Sequence, residues 1–473
     1  MRVRRRHEYA ITSHISQFSD PAIRAEEGQG DTEGELVRTV DVLVAGAGPA
    51  GCMSALCLAR QGATVLVVDP CPPPVRQLAG EWLHPAGVIA LHRMGITTAG
   101  REFTTNRGFR LHTSDGKPPL HCPYPHGTAV SMYHHVLATL LLRTVRATPG
   151  ITLRQGERVT AVTTTGRART TREEVSAGLV VGADGRSSTV RRFLRPDEQA
   201  PLRLSRVAGL LLPGARLPRG GYGHVFLGGP GPVLAYQVAP GTVRLCVDVP
   251  LPGPGPSDIR GYLRHGYADV LPEELRPAFR ALLDAGKVQW AAARFRERSF
   301  FGRGRCALVG DAVGHGHPLA AQGMTLALLD GECLARHSPD IPAYAAERTA
   351  RSWSAERLGA ALHRTLTGHD PTSLLLRRSA FALWRHDARQ RGLVLGLLSM
   401  RDDRRSTFYD VLAHVAARAL TERTRTARAF PGAAPSMGRL TGLADWLLWL
   451  IGPTIGPPRP PRGRLPAIAV MGP

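Results

Sequence analysis

The chain has 473 residues, a length that predicts two or three domains or one large α/β unit with insertions. Its hydrophobic content of 43% is ordinary for a globular protein, whereas its formal net charge of +22 rests almost entirely on arginine. Such a bias agrees with a GC-rich genome, an anionic ligand or an anionic membrane surface. Nucleic acid is disfavoured as a partner, because the sequence has no zinc-ligand spacing, no basic region with heptads and no aromatic-basic platform.

The predicted elements begin with a βαβ unit: a strand over residues 40–45, a helix over 50–60 that ends at Gly62, and a strand over 64–69. Further on, helices are predicted over 85–95 and 130–147, and strands over 151–163 and 175–182. Residues 202–250 alternate short apolar runs with Gly and Pro, which predicts an antiparallel sheet. Helices are predicted over 257–285 and over most of 324–450.

The ends of the chain carry the least regular sequence. The basic first residues lack the apolar core of a secretory signal, so residues 1–37 are predicted to form a mobile extension. The apolar segment 440–451 is too short to span a bilayer and predicts either a buried helix or an interfacial segment. From residue 336 onward the sequence has 21 arginines but only 10 acidic residues. This excess of positive charge favours contact with a membrane surface.

The seven cysteines are spread along apolar stretches, and no two form a CxxC pair. This usage predicts buried, reduced thiols in the cytoplasm. No metal-binding set of residues is indicated.

The first chemical motif is the glycine-rich turn over residues 46–51, which follows a predicted strand and opens a predicted helix. Gly46 would permit the tight turn, Gly48 would let a pyrophosphate approach the backbone, and Gly51 would let helix and strand pack closely. Asp69 ends the next strand, where its carboxylate would accept hydrogen bonds from an adenosine ribose and would disfavour NADP as the resident nucleotide. The alternative is a glycine-rich turn without a ligand.

Two further strands end in turns that carry a carboxylate. The first is followed by Asp184 and Gly185, the second by Gly310 and Asp311. A helix then opens near Gly323, where free backbone N–H groups and a positive dipole end favour negative charge. Each signal alone is moderate, but together with the first turn they indicate a dinucleotide cofactor.

The three motifs, in this order and spacing, resemble the flavoprotein monooxygenases typified by 4-hydroxybenzoate hydroxylase, over about residues 38–335. Residues 76–87 are similar to the R-x-x-G-E-x-L-x-P-G-G segment of the squalene monooxygenase branch, and residues 317–325 are similar to its HPLTGGGMT segment. The chain departs from that branch at His134 and His135, which stand where an arginine is expected, and at Gln322, which replaces a glycine.

The resemblance implies an α/β fold, with a Rossmann-like FAD-binding domain, an antiparallel-sheet substrate domain and a helical C-terminal region. The implied boundaries are 38–200 and 299–335 for the FAD-binding domain, 201–298 for the substrate domain and 336–473 for the arginine-rich helical region. The implied cofactor-binding residues are Gly46, Gly48, Gly51, Asp69, Arg76, Glu81, Asp184, Gly310, Asp311, Gly323 and Met324.

Asp311 would bind the ribityl chain, and the helix after Gly323 would stabilise negative charge on the reduced flavin. Arg76 and Glu81 would lie near the isoalloxazine or order the loop beside it. Strands within 222–249 would form the wall of the substrate pocket. No catalytic acid or base can be chosen, since a lone histidine beside a motif is usually structural.

The function implied is that of an FAD-dependent monooxygenase that uses NADPH or NADH and O2. It would insert one oxygen atom into a hydrophobic alkene or aromatic substrate through a C4a-hydroperoxyflavin. Because the chain has no second glycine-rich βα unit, the nicotinamide is expected to bind only transiently. The location expected is cytoplasmic, with peripheral contact to a membrane.

Three alternatives stay open on the sequence alone. The first is a flavin-dependent reductase of isoprenoid double bonds, which would not consume oxygen. The second is a flavin halogenase, although the sequence lacks the W-x-W-x-I-P run usual in that group. The third is a peripheral membrane or scaffold protein with a vestigial flavin fold.

Overall fold

The computed structural model describes residues 37–71, 78–253, 255, 258–429 and 437–452. For residues 423–429 and 437–441 it describes the backbone but not the side chains. Two of the sequence-based predictions lie outside the described residues. They are the N-terminal extension, apart from Val37, and the role of Arg76.

Strands dominate the first part of the described chain, and helices dominate its end. The strands are β1 (Arg38–Ala45), β2 (Val65–Asp69), β3 (Trp82–Leu83), β4 (Thr104–Asn106), β5 (Gly108–His112), β6 (Leu120–Pro123), β7 (Ala129–Ser131), β8 (Ile151–Gln155), β9 (Val159–Val162), β10 (Arg167–Thr170), β11 (Glu174–Gly182), β12 (Leu202–Pro213), β13 (Gly223–Phe226), β14 (Val233–Ala239), β15 (Thr242–Pro250), β16 (Gln289–Phe295), β17 (Gly302–Arg303) and β18 (Cys306–Leu308). The helices are α1 (Pro49–Ala59), α2 (Pro85–Arg93), α3 (His134–Ala147), α4 (Thr189–Leu194), α5 (Ile259–Tyr267), α6 (Arg276–Asp284), α7 (Gly323–His337), α8 (Ile341–Thr367), α9 (Pro371–His386), α10 (Ala388–Leu398), α11 (Arg405–Ala429) and α12 (Met437–Ile451).

The first sheet has the order β17-β18-β11-β1-β2-β8, with the β9–β10 hairpin attached to β11. Its central strands are parallel, and their apolar runs are buried on both faces, as expected where helices cover both sides. In register, Ala45 pairs with Gly182 and Gly182 with Leu308. The carboxyl ends of β1, β11 and β18 therefore lie side by side, and all three sequence motifs begin at this one edge.

The second sheet has the order β16-β12-β15-β14-β13-β5-β6. Its strands pair in antiparallel fashion, except that β13 runs parallel to β5. The sheet therefore extends beyond the predicted range 201–298, because β5 and β6 come from the chain before residue 124. Helices α5 and α6 pack on one of its faces. Helices α8 to α12 share a hydrophobic core with strands β5, β6, β13 and β14.

The fold class predicted from the sequence is confirmed: an α/β cofactor-binding core, a mainly antiparallel second sheet and a helical C-terminal region. The predicted helix over 130–147 is wrong, since these residues do not form a single helix, and the predicted strand over 151–163 divides into β8 and β9. Ala129–Ser131 is a strand of a small sheet with β3 and β4, and α3 begins only at His134. The run Val130-Ser131-Met132 is buried, and burial on all sides removes the periodicity that separates strand from helix.

Helix α12 places the apolar segment near the C-terminus against the other C-terminal helices. Leu443, Trp446 and Leu450 are buried, whereas Leu448 is 63% exposed. The segment is therefore a helix with one buried face and two exposed apolar positions, Leu448 and Ile451. None of the described helices combines the length and apolar character that crossing a membrane requires.

Candidate functional site

A cavity of about 520 Å³ lies between the first sheet, the second sheet and the C-terminal helices. It is lined from three directions: by the motif turns at the edge of the first sheet, by β12, β14, β15 and β16, and by one face of α8. The α8 contribution has helical spacing, and its residues are Glu356, Gly359, Ala360, His363 and Arg364.

The glycine-rich turn after β1 has three glycines with three different constraints. Gly46 has φ +104°, and a Cβ there would lie 2.5 Å from the carbonyl oxygen of Ala183. A Cβ on Gly51 would lie 1.9 Å from the Gly46 carbonyl oxygen, so this glycine permits the close packing of α1 on β1. A Cβ on Gly48 would meet no atom of the described residues within 4 Å, and Gly48 lines the cavity at the start of α1.

Asp69, at the end of β2, holds this turn in place. Its Oδ2 accepts a hydrogen bond from the Ala47 backbone N–H at 2.6 Å, and its Oδ1 accepts one from the Cys71 N–H at 2.7 Å. The carboxylate therefore orders the loop on which a dinucleotide would rest. Its predicted contact with a ribose stays a prediction.

The Asp-Gly turn after β11 carries two side chains with different roles, one that binds the start of α4 and one that lines the cavity. Asp184 caps α4, since its Oδ2 accepts hydrogen bonds from the Thr189 and Val190 N–H groups at 2.6 and 3.2 Å. Arg186, by contrast, lines the cavity and donates from Nε to Asp311 Oδ2 at 3.1 Å. The structure thus gives Asp184 a capping role in the turn and brings Arg186, which the sequence alone did not single out, to the cofactor side.

The turn after β18 is fixed from behind by a buried ionic network. Gly310 has φ +61°, and its N–H donates to Asp330 Oδ2 at 2.7 Å. Asp330 is fully buried and also accepts from Arg298 at 2.7 and 2.8 Å and from Arg348 at 2.7 Å. Because two guanidinium groups and a backbone amide share one carboxylate, the position of Gly310 is determined by α7 and α8 as well as by its own strand.

Asp311 lies on the cavity side of this network, close to the first residue of α7. Gly323 opens that helix, and a Cβ there would come within 3.8 Å of Asp311 Oδ1. Among the described residues no side chain caps the first turn of α7, and the turn itself contains no acidic residue. Met324 lines the cavity and packs on Gly80. The arrangement leaves amide donors and a carboxylate facing the same space.

Glu81 joins the two walls of the cavity. Its side chain and that of Arg244 are almost fully buried, with Oε1 2.7 Å from Nη2 and Oε2 2.8 Å from Nε. The Tyr236 hydroxyl donates to Oε2 at 3.1 Å. The Glu81 carboxylate is thus bound to two strands of the second sheet, which orders the loop before β3.

The histidines beside the sequence motifs have different surroundings. His84 is fully buried between the Tyr124 hydroxyl at 2.8 Å and the Ala320 carbonyl oxygen at 2.9 Å, and burial lowers its pKa to about 4. It is a structural residue. His134 stands where relatives were expected to carry arginine, and its Nδ1 is 3.0 Å from the Gly80 carbonyl oxygen. His315 lines the cavity next to Asp311, and burial lowers its pKa to about 4.

A polar cluster on the side of the cavity formed by the second sheet and α8 was not found from the sequence. Asp248 of β15, His317 before α7 and His363 of α8 all line the cavity, with ligand atoms within 4.8 Å of one another. Ser205 of β12 joins them through Asp248. These residues come from distant segments, and only His317 lies in a recognisable motif.

Comparison with known proteins places this geometry in a family. The family model for squalene epoxidase matches residues 176–418, and a model for an FAD-binding domain matches residues 39–220. The chain therefore belongs to the squalene epoxidase family, and its cofactor is FAD.

Individual relatives agree with this assignment. A squalene epoxidase from Aspergillus fumigatus is 31% identical over 61% of this chain and 64% of its own length. A squalene monooxygenase from Rattus norvegicus is 26% identical over 76% of this chain and 68% of its own length. The chain spans about three fifths of the length of several curated relatives that it matches. Among solved structures, p-nitrophenol 4-monooxygenase from Pseudomonas putida shares the fold, with a TM-score of 0.65 and 19% identity over 78% of this chain and 100% of that one.

The residues at the edge of the first sheet fit FAD. Gly48 faces open space where a pyrophosphate needs close approach to the backbone, and the start of α1 has no side-chain cap. The start of α7 offers a second set of amides beside the carboxylate of Asp311.

Proposed function

We propose that this protein is an FAD-dependent monooxygenase that inserts one oxygen atom into a hydrophobic substrate, with NADPH or NADH as the electron donor. The observation that carries the proposal is that the cofactor motifs and an apolar sheet wall open into the same cavity. A reductase or halogenase on this scaffold remains the alternative. We further propose the domain boundaries 38–200 with 299–335, 201–298 and 336–473, with β5 and β6 from the first segment completing the sheet of the second domain.

Each cofactor residue has a role that follows from its position. Gly48 and the first amides of α1 would hold the pyrophosphate, while Gly46, Gly51 and Asp69 keep that turn in shape. Asp311 would accept hydrogen bonds from the ribityl chain.

A second group of residues would act near the flavin ring. The start of α7, at Gly323 and Met324, would stabilise negative charge on the reduced ring. Glu81 and Arg76 would order the loop beside the ring, and Asp184 would support the cofactor through α4.

Electron transfer and oxygen activation would be supplied by the bound FAD. The protein would position the substrate and exclude water. In a site open to water, the activated oxygen would be released as hydrogen peroxide before it reaches the substrate. Leu204, Val207 and Leu234 provide an apolar wall for this purpose, and α8 closes the cavity opposite them.

Spectra and oxygen uptake of the full-length protein test the proposal. We expect a bound flavin spectrum, and oxygen consumption with NADPH or NADH that rises with members of a terpene and phenol panel. A protein that binds no FAD when FAD is supplied would exclude a flavin-dependent enzyme. Oxidation of the nicotinamide without oxygen consumption would favour the alternative of a flavin-dependent reductase. Asp311→Ala should lose most of its FAD, whereas Asp269→Ala, at an exposed carboxylate of the second sheet's helices, should keep it.

We also propose peripheral contact with a membrane through α12. Leu448 and Ile451 are exposed apolar residues on this helix, and the surrounding region is rich in arginine. In flotation with anionic liposomes, Leu448→Asp should reduce the bound fraction. Phe193→Asp, at a similarly apolar exposed site on α4, should leave it unchanged. Equal binding by the wild type and Leu448→Asp would contradict the contact.

A further inference from the structure

The polar cluster of Asp248, His317 and His363 lies beside apolar side chains of the second sheet, and Glu356 and Arg364 line the cavity on the same face of α8 as His363. Its neighbours on the sheet include Leu204, Val207, Leu234 and the aliphatic β16 residues Ala291 and Ala292. Side chains of histidine and aspartate are costly to place in such surroundings unless their hydrogen bonds are made. The cluster therefore requires an explanation that a wall for a pure hydrocarbon does not supply.

Hydrogen bonds determine which nitrogen of His317 carries the proton. The Leu319 backbone N–H donates to His317 Nδ1 at 3.1 Å, so Nδ1 is an acceptor and the ring proton is on Nε2. Nε2 then donates towards Asp248 Oδ1 at 3.0 Å and towards the Ser205 hydroxyl oxygen at 2.9 Å. The Ser205 hydroxyl in turn donates to Asp248 Oδ1.

This proton assignment argues against a metal ion, although the ligand atoms are close enough for one. A histidine that binds a metal usually donates its other ring N–H to an oxygen, whereas here the other nitrogen accepts a backbone N–H. His317 thus has no free lone pair to offer. Ser205, Asp248 Oδ1 and His317 Nε2 instead form a hydrogen-bonded set that fixes the plane of the His317 ring.

Asp248 Oδ2 has no hydrogen-bond partner among the described residues, and His363 is the histidine of the cluster that remains available. Its ring lies on that of His317, with centroids 4.1 Å apart and planes at 23°. It lines the cavity, and its ring nitrogens make no hydrogen bond to any residue that the structure describes. Burial, and then the neighbouring His317, lower the pKa of His363 to about 3. At physiological pH it is therefore a neutral imidazole with one donor and one acceptor.

We propose that His363 hydrogen-bonds a hydroxyl or carbonyl group of the substrate, and that the natural substrate is therefore an oxygen-bearing hydrophobic molecule rather than a pure hydrocarbon. This inference rests on the proposed function, because it concerns the substrate of the same cavity. A hydrocarbon would leave the imidazole without a partner, whereas an alcohol or ketone can donate to it or accept from it. Asp248, His317 and Ser205 act as positioning residues that hold the ring in place.

Ligand binding to the oxidised, FAD-loaded full-length protein tests the inference without turnover. Farnesol, farnesyl methyl ether and farnesene are titrated in the same detergent, and binding is followed by the change in flavin absorbance and by calorimetry. We expect farnesol to bind at least about tenfold more tightly than farnesene, the effect of one hydrogen bond to a buried polar group. The ether, which only accepts, should fall between them.

Substitutions then locate the preference. His363→Phe keeps an aromatic ring against His317 and should reduce the farnesol preference to about twofold or less, while His363→Gln should retain much of it. His369→Phe, at an exposed histidine just beyond α8, is the matched control and should leave the preference unchanged.

Equal binding of alcohol and hydrocarbon by the wild type would overturn the inference, whether or not the variants fold. So would a preference that survives in a flavin-loaded His363→Phe protein, or stoichiometric metal bound at the cluster. Failure of the proposed function would look different: absence of flavin, or absence of oxygen uptake with every substrate.

Discussion

The two walls of the cavity are built in different ways. The cofactor wall consists of backbone turns that are short, contiguous and rich in glycine. At Gly46 and Gly51 an added Cβ would collide with neighbouring backbone, so these turns require glycine. The substrate wall consists of side chains on several strands and one helix, brought together from distant parts of the chain. A backbone wall specifies one cofactor, whereas a side-chain wall can change its ligand through single substitutions.

The sharpest contrast lies inside the cofactor wall. Gly51→Ala would place a Cβ 1.9 Å from the Gly46 carbonyl oxygen, and we expect a loss of about 4 kcal/mol or more in unfolding free energy. In Gly48→Ala the added Cβ meets no atom of the described residues within 4 Å, so this variant should change the stability of the FAD-free protein by less than about 1 kcal/mol yet weaken FAD binding. Urea denaturation and FAD titration of both variants measure this. Equal loss of stability in the two variants would refute the distinction.

The network behind the cofactor wall should be nearly as sensitive. Asp330→Ala leaves Arg298 and Arg348 as buried charges without their shared carboxylate, and we expect a loss of about 3 to 5 kcal/mol together with lower FAD occupancy. Glu332→Ala, on the same helix, removes only a partner of the exposed Arg93 and should cost less than about 1 kcal/mol. A small effect of Asp330→Ala would show that Gly310 is held by its strand alone.

The ion pair of Glu81 and Arg244, which joins the two walls, can be tested by a double substitution. Glu81→Leu alone leaves Arg244 buried without its carboxylate and should cost about 3 kcal/mol or more. Adding Arg244→Met removes the stranded charge and should recover a large part of that loss. Denaturation of the single and double variants gives the coupling. Additive losses would mean that the pair does not join the walls energetically.

A smaller effect should appear as a dependence on pH. Burial lowers the pKa of His84 to about 4 in the folded protein, below its ordinary value of about 6.5. The neutral form is therefore favoured by folding. Its contribution is complete above pH 6.5 and is lost as the pH falls from 6.5 towards 4, by about 2 to 3 kcal/mol at pH 4.5. His84→Gln should reduce this slope, measured by denaturation at about pH 7, which lies above the shifted range, and at about pH 5.5 and 4.5, which lie within it. An unchanged slope would assign the acid sensitivity to other groups.

The same contrast explains what the sequence could predict. The turns at Gly46, Asp184 and Gly310 each follow a buried apolar strand, and the carboxyl ends of parallel strands meet at one edge. Local patterns were therefore enough to indicate a dinucleotide cofactor, whereas FAD and the fold class were implied by the resemblance of these motifs to a known family. The pairing of β13 with β5 could not be inferred, because register between distant segments leaves no local signal.

The polar cluster was missed for the same reason. Ser205, Asp248 and His363 lie in unremarkable strand and helix patterns, and only the packing of α8 over the sheet brings them to His317. The roles of Asp184 and Glu81 were also refined only by structure, since a cap and a buried ion pair depend on partners that the sequence does not identify.

The source of the oxygen in the product is the most direct test of a monooxygenase. The full-length FAD-loaded protein, NADPH or NADH and an oxygenated isoprenoid are incubated under 18O2, and the product is analysed by mass spectrometry. We predict a product that carries one atom of 18O, formed with consumption of one nicotinamide. A product without the label, or one that has gained two hydrogens with no oxygen consumed, would contradict this function.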